Sequence, residues 1–234
     1  MNDIGSAFDA ALRLLIGFDA NLVEIVLLSL QVSLTSVALA SLIGMPLGAA
    51  LALFRFPGRH GLVVLVNAFM GLPPVVVGLI VYLLLSRAGP LGVFGLLFTP
   101  AAMIVAQTIL VLPIVAALTR QTIEDLWREY DEQLRSLGAG PARAVATLLW
   151  DGRFALVTAV LAGFGRASAE VGAVMIVGGN IDHVTRVMTT AIALEVSKGD
   201  LALALGLGLV LILLSTAINA AAYLVREVAA RRHG

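Results

Sequence analysis

The chain has 234 residues, of which 60% are hydrophobic and 13% charged, and its formal net charge is zero. A soluble domain carries about a quarter of charged residues and could not hide this much apolar surface in one core, and a neutral balance leaves no basic face for nucleic acid. Without cysteine there is no disulfide, thiolate metal site or cysteine nucleophile. The three histidines, His60, His183 and His233, are scattered and form no metal cluster. No cofactor is implied, and the composition is that of a chain that lives in a lipid bilayer.

In chain order, residues 1–20 come first. Ile4, Phe8, Leu12 and Leu15 recur at helical spacing, with Asp3, Asp9 and Arg13 mostly elsewhere on the wheel. That pattern suits a short amphipathic helix on the outer membrane surface, or equally an extension of the first span. No basic residue precedes Arg13, so the segment does not read as a signal peptide. Charge-free or nearly charge-free runs then place five spanning helices at 24–54, 62–86, 99–119, 154–178 and 201–225. An all-α membrane protein forming a single domain over 1–234 is expected. Arg55, Arg59, Arg120, Arg128, Arg135, Arg143, Arg153, Arg226, Arg231 and Arg232 fall on one side, against Arg13, Arg87, Arg186 and Lys198 on the other. The excess of basic residues points the first set to the cytoplasm, the N-terminus outside and the C-terminus inside.

Several spans carry helix-breaking residues. Pro73 and Pro74, within GLPPVVVG (71–78), sit near the middle of the second span. Two consecutive prolines remove two backbone donors and push residue 72 away from helical geometry. Such a break either kinks a packed helix or lies where transporters bind and gate their substrate. Pro46, flanked by Gly44 and Gly48, and Pro113 add further kinks, and the two glycines offer small-residue spacing for close helix contact. In the fourth span Arg166 and Glu170 stand four residues apart and hence on one helix face. Charges in lipid are costly, so the two either pair with each other as a structural bridge or line a translocation route. On the second reading, Arg166 is a forked donor to a passing anion.

Between the third and fourth spans the composition changes. Segment 120–153 holds eleven charged residues, yet Ile123, Leu126, Tyr130, Leu134 and Leu137 continue a helical stripe through it. Gly138-Ala139-Gly140-Pro141 then predicts a turn, with a second helix starting at Pro141. A helix–turn–helix projecting from the membrane suits the docking of a soluble partner; the plain alternative is a solvated loop. Further on, Val184, Val187, Met188, Ala191 and Ile192 predict a short external helix within 182–199, either a gate or docking element or a connector packed on the bundle.

The segment EQLRSLGAGP (132–141) resembles the EAA loop of ATP-binding-cassette importer permeases, keeping its glutamate, the Leu-Gly-Ala core and the proline, while Gln133 and Leu134 replace two alanines and Trp150-Asp151 stand where Leu-Pro is usual. FGRASAEVGAVMIVGGNI (164–181) resembles the matching segment of permeases for molybdate, tungstate, sulfate and related oxyanions, and TRVMTTAIALEVSKGDL (185–201) is similar to tungstate permeases in particular. The resemblance covers about 22–225. It implies a type I importer fold working as a homodimer around a central path, two cytoplasmic ATPase subunits, and an external solute-binding protein. It also implies that Glu132, Arg135, Leu137, Gly138, Ala139, Gly140, Pro141 and Arg143 couple to the ATPase, with 135–147 as the coupling helix. Arg166, Glu170, Pro73 and Pro74 are then the candidates for the substrate pathway.

The chain carries no GxxxxGK[ST] phosphate loop. It is accordingly expected to be no enzyme, its ATP energy arriving through a partner. An ion-coupled secondary transporter or channel explains the broken helix and the buried charges equally well, but leaves the folded segment 120–153 without a purpose. Tungstate is the expected cargo and molybdate the next. Both are doubly negative and nearly equal in radius.

Overall fold

The computed structural model describes Arg13, Gly17 and residues 20–233, with the surroundings of side chains described as far as Leu224. Apart from those positions, the expected amphipathic segment 1–20 lies outside the described residues. Every regular element among the described residues is helical.

Helix α1 runs from Ala20 to Leu53 and carries Pro46 without interruption. A turn through Gly58, at φ 86°, leads into α2, Arg59–Phe69. Pro73 is extended and caps α3, Pro74–Leu85, with Pro74 in the first turn, where a missing N–H costs nothing. The two prolines therefore begin a helix, and the second expected span is two separate helices. After α3 comes a loop with one 3-10 turn at Gly92–Phe94, whose Val93 is 89% exposed. Helix α4, Pro100–Ser136, is the longest at 37 residues and continues well past the expected span end at 119. It is followed by α5 (Pro141–Asp151), α6 (Arg153–Ser168), the short α7 (Gly172–Gly178), α8 (Met188–Lys198) and α9 (Leu201–His233).

Three of these helices, α1, α4 and α9, are long and apolar enough to cross a membrane singly; the count reaches five if the broken pairs α2–α3 and α5–α6 are each one span. At 34 residues, α1 extends about 50 Å, beyond the ~30 Å hydrocarbon core of a bilayer. The expected fourth span needs correction. It does not run unbroken from 154 to 178: α6 ends at Ser168 and α7 begins at Gly172, while α5 and α6 meet at a 76° bend. The expected external helix also starts later than its periodicity suggested, at Met188, with Val184 exposed in a turn.

The chain gathers into two compact units. The first comprises Met1–Thr35, Pro73–Gln107 and Ser168–Ala220. Its core joins the start of α1 to α8 and α9 through Leu22, Met188, Ala191, Leu207 and Val210, and Ser29 Oγ accepts the Met188 N–H at 2.7 Å. The second comprises Ser36–Leu72, Thr108–Ala167 and Ala221–Gly234. There the end of α1, α4 and α5 close over Ala49, Leu53, Ile123, Ala144 and Leu148. Gly44 and Gly48 fulfil the expectation of close packing: a Cβ on Gly48 would lie 2.4 Å from the Ala116 carbonyl oxygen, so α1 and α4 touch backbone to backbone.

Candidate functional site

Two regions receive the residues singled out in the sequence. In the first unit, α3 and α7 are both half-length helices that start at a break, and they pack in direct contact. A Cβ on Gly78 would meet the Ala173 Cα at 2.7 Å, and one on Gly172 would meet Val75 Cγ2 at 2.9 Å. Glycine is required at Gly78, where the nearest atoms met are backbone, while at Gly172 the Val75 side chain would have to turn aside. The break before α3 places Pro73 and Pro74 at its start. The break before α7 holds Glu170, whose residue is only 3% exposed. Its Oε1 accepts the Ala173 N–H at 3.0 Å, and its backbone carbonyl accepts Thr189 Oγ1 at 2.8 Å. A carboxylate at the first free N–H groups of a helix is favoured by their partial positive charge. That capping gives the physical reason for the break, since the Ala173 N–H bonds to a side chain and starts a new helix.

Arg166 and Glu170 are therefore not on one helix face. Arg166 lies in the last turn of α6, where a cation complements the helix dipole. Glu170 lies beyond the end of that helix, and the two residues fall in different compact units. Four-residue spacing signals a shared face only while the helix lasts.

The second region is the polar hairpin of the second unit. Helix α4 ends as the sequence predicts: Gly138 adopts φ 74°, and the N–H groups of Gly138 and Ala139 donate to the carbonyls of Arg135 and Leu134, both at 2.9 Å. Left-handed closure of this kind favours glycine. Gly140 then caps α5 with Pro141 in its first turn, and the Arg143 and Ala144 N–H groups return to the Gly140 carbonyl. Buried Ala144 and Leu148 hold α5 down. The opposite surface is presented outward: Leu137 is 82% exposed, and Glu132, Arg135, Pro141 and Arg143 are exposed as well. Arg135 is held at 2.5 Å by Asp131 and lies over the Trp127 ring at 5.8 Å.

One cluster escaped the sequence reading. Arg59, at the start of α2, donates from Nε to the Leu51 carbonyl at 2.6 Å, capping the end of α1, and from Nη2 to Glu124 Oε1 at 2.5 Å. Glu124 Oε2 accepts Arg120 Nη1, also at 2.5 Å. The Arg120–Glu124 half was visible as an i,i+4 pair; the Arg59 half joins residues 65 positions apart and left no local signal. Another missed contact is His183 Nδ1 with Glu24 Oε2 at 2.8 Å. The bond to that carboxylate, then its charge, raises the His183 imidazole above its usual value.

Long apolar helices, two of the breaks between them marked by proline and glutamate, and a folded polar hairpin are the features of a multi-pass membrane protein. Residues 44–232 match the family described as the binding-protein-dependent transport system inner membrane component, and the chain belongs to that family. It is 41% identical over 227 residues to the tungstate uptake system permease protein TupB of Peptoclostridium acidaminophilum, covering 97% of this chain and 100% of that one. Identity to the protein of the same name from Campylobacter jejuni is 44% over 216 residues, 92% of this chain and 90% of the other. A probable anion ABC transporter permease protein of Haloferax volcanii is 39% identical over 218 residues, 91% and 94% of the two chains.

Proposed function

We propose that this chain is the transmembrane subunit of an ATP-driven importer for a tetrahedral oxyanion, tungstate in the first place and molybdate next. The observation that carries the proposal is the 41% identity to a tungstate uptake permease along essentially the whole of both chains. On this reading 1–234 is one permease domain that works as a homodimer, with its N-terminus outside and its C-terminus inside. ATP hydrolysis belongs to a separate pair of cytoplasmic ATPase subunits, and an external binding protein delivers the anion near 182–199.

The geometry supports a division of labour. Leu137, exposed at the turn, is the side chain that enters a cleft of the ATPase, while Glu132, Arg135 and Arg143 surround it with charge. Gly138, Ala139, Gly140 and Pro141 hold the turn in shape. Because α5 is nailed to the ends of α1 and α4 by Ala144 and Leu148, a push on the hairpin moves spanning helices and not a loose loop. Pro73, Pro74 and Glu170, at the breaks before α3 and α7, border the anion's route, and Arg166 supplies a forked positive donor along it.

The test is reconstitution of the chain with its ATPase and binding protein in vesicles. Tungstate uptake is expected to need ATP and all three components; uptake by the chain alone would make it a secondary transporter or channel and end the proposal. Arg166→Ala is expected to lower tungstate uptake at least tenfold while the dimer still assembles on a sizing column. Loss of the dimer together with uptake would instead assign Arg166 to structure.

A further inference from the structure

In the second unit a groove of about 320 Å³ runs along α6, walled by apolar side chains that include Met45 of α1, Leu149 of α5, Val157 and Val160 of α6, and Ala222 of α9. The single charged residue on its wall is Arg153. Arg153 is the first residue of α6, and the next charge along that helix is Arg166. It therefore stands where the helix leaves the polar hairpin for apolar sequence, the depth at which arginine and tryptophan anchor spans to the membrane interface.

The guanidinium is held in place. Nη1 donates to the Trp150 carbonyl at 2.7 Å, and the group stacks over the Phe154 ring at 4.4 Å and the Trp150 ring at 4.8 Å. No carboxylate forms an ion pair with it among the described residues. Trp150 itself is 69% exposed.

A fixed cation with open N–H donors at the mouth of an apolar slot matches one kind of molecule, negative at its head and hydrocarbon at its tail. We propose that this groove binds an anionic phospholipid, with the phosphate on Arg153 and one acyl chain along Val157 and Val160. Inorganic phosphate would leave the slot unfilled, and an apolar helix from a second copy would leave the Arg153 charge unmatched. The proposal is independent of the cargo and of the ATPase.

The experiment uses the purified full chain in mild detergent, exposed to an equimolar mixture of phosphatidylglycerol and phosphatidylcholine, with retained lipid counted by native mass spectrometry. Phosphatidylglycerol is expected to be retained in preference. Arg153→Gln should lower its retention about fivefold, the worth of one arginine at a lipid surface. Val160→Phe, which fills the slot without adding polarity, should displace the lipid and leave the thermal midpoint within a few degrees. Arg128→Gln, an exposed arginine on α4, should change nothing. Equal retention of the two lipids, or full retention by both Arg153→Gln and Val160→Phe, overturns the proposal. So does a Val160→Phe variant that keeps its lipid but loses self-association, which would make the groove a protein interface.

Discussion

Gly48→Ala gives a sharp test of how α1 and α4 are joined. In an exposed helix this change stabilises by up to about 1 kcal/mol, because alanine loses less backbone entropy. At Gly48 the new methyl would lie 2.4 Å from the Ala116 carbonyl oxygen, 2.9 Å from Thr119 Cβ and 3.0 Å from the Arg120 nitrogen. Two of these three atoms are helical backbone, which cannot step aside as a side-chain tip can. The helices must separate by most of an ångström, breaking the packing around buried Ala49 and Ile123. Overpacking of this kind costs about 1–3 kcal/mol. Because the nearest atom, at 2.4 Å, is rigid backbone, the cost falls in the upper half of that range, and with the propensity gain set against it the net is about 1–2 kcal/mol of destabilisation, a fall in thermal midpoint of about 5 °C for a chain this long. Gly61→Ala in α2 is the control: nothing lies within 4 Å of its Cβ position, so the same substitution should raise stability slightly. The assay is thermal unfolding in detergent, followed by circular dichroism at fixed protein and lipid. A Gly48→Ala protein as stable as the parent would refute the backbone contact and the packing built on it.

Other consequences concern the hairpin and the loop after α7. Glu124→Gln removes the shared partner of Arg59 and Arg120, whose side chains are 30% and 19% exposed; a loss of about 1–2 kcal/mol is expected, and an unchanged denaturation midpoint would contradict it. Gly138→Val forces a β-branched residue into φ 74° at a local cost of about 1–2 kcal/mol. In the reconstituted transporter it should leave ATP hydrolysis running while uptake falls, and normal stimulation with normal uptake would remove the hairpin from the coupling path. For His183 the folded value is raised above 6.5 by Glu24. The contact thus contributes fully below that pH and is lost as pH rises through the raised value. Amide exchange over 181–185 should accelerate across that window and become pH-insensitive, beyond the intrinsic rate, in Glu24→Gln; a parent protein without the extra acceleration would sink the link.

Most of the membrane architecture was legible because its causes are local. A charge-free run long enough to cross lipid becomes a helix wherever it sits, which located α1, α4 and α9. Proline lacks an N–H whatever surrounds it, so the break at Pro73-Pro74 was readable. Gly138-Ala139-Gly140-Pro141 announced a helix end and a helix start through backbone preference alone. The Gly44–Gly48 spacing correctly signalled a close helix contact, although not that its partner would be α4.

The end of α6 was not legible, because hydropathy runs straight through it. Whether the backbone stays helical there depends on what its donors find. The Ala173 N–H finds the Glu170 carboxylate, and Gly78 of a distant segment lets α7 settle against α3. The same holds for the contacts that tie remote stretches together: Arg59 with Glu124, and Glu24 with His183 across 159 positions. Sequence alone determined that this is a many-helix bilayer protein with a polar hairpin, since burial in lipid and backbone chemistry act over a few turns. Only tertiary structure decided which charges meet and where helices stop, since those outcomes turn on groups the chain brings together after folding back on itself.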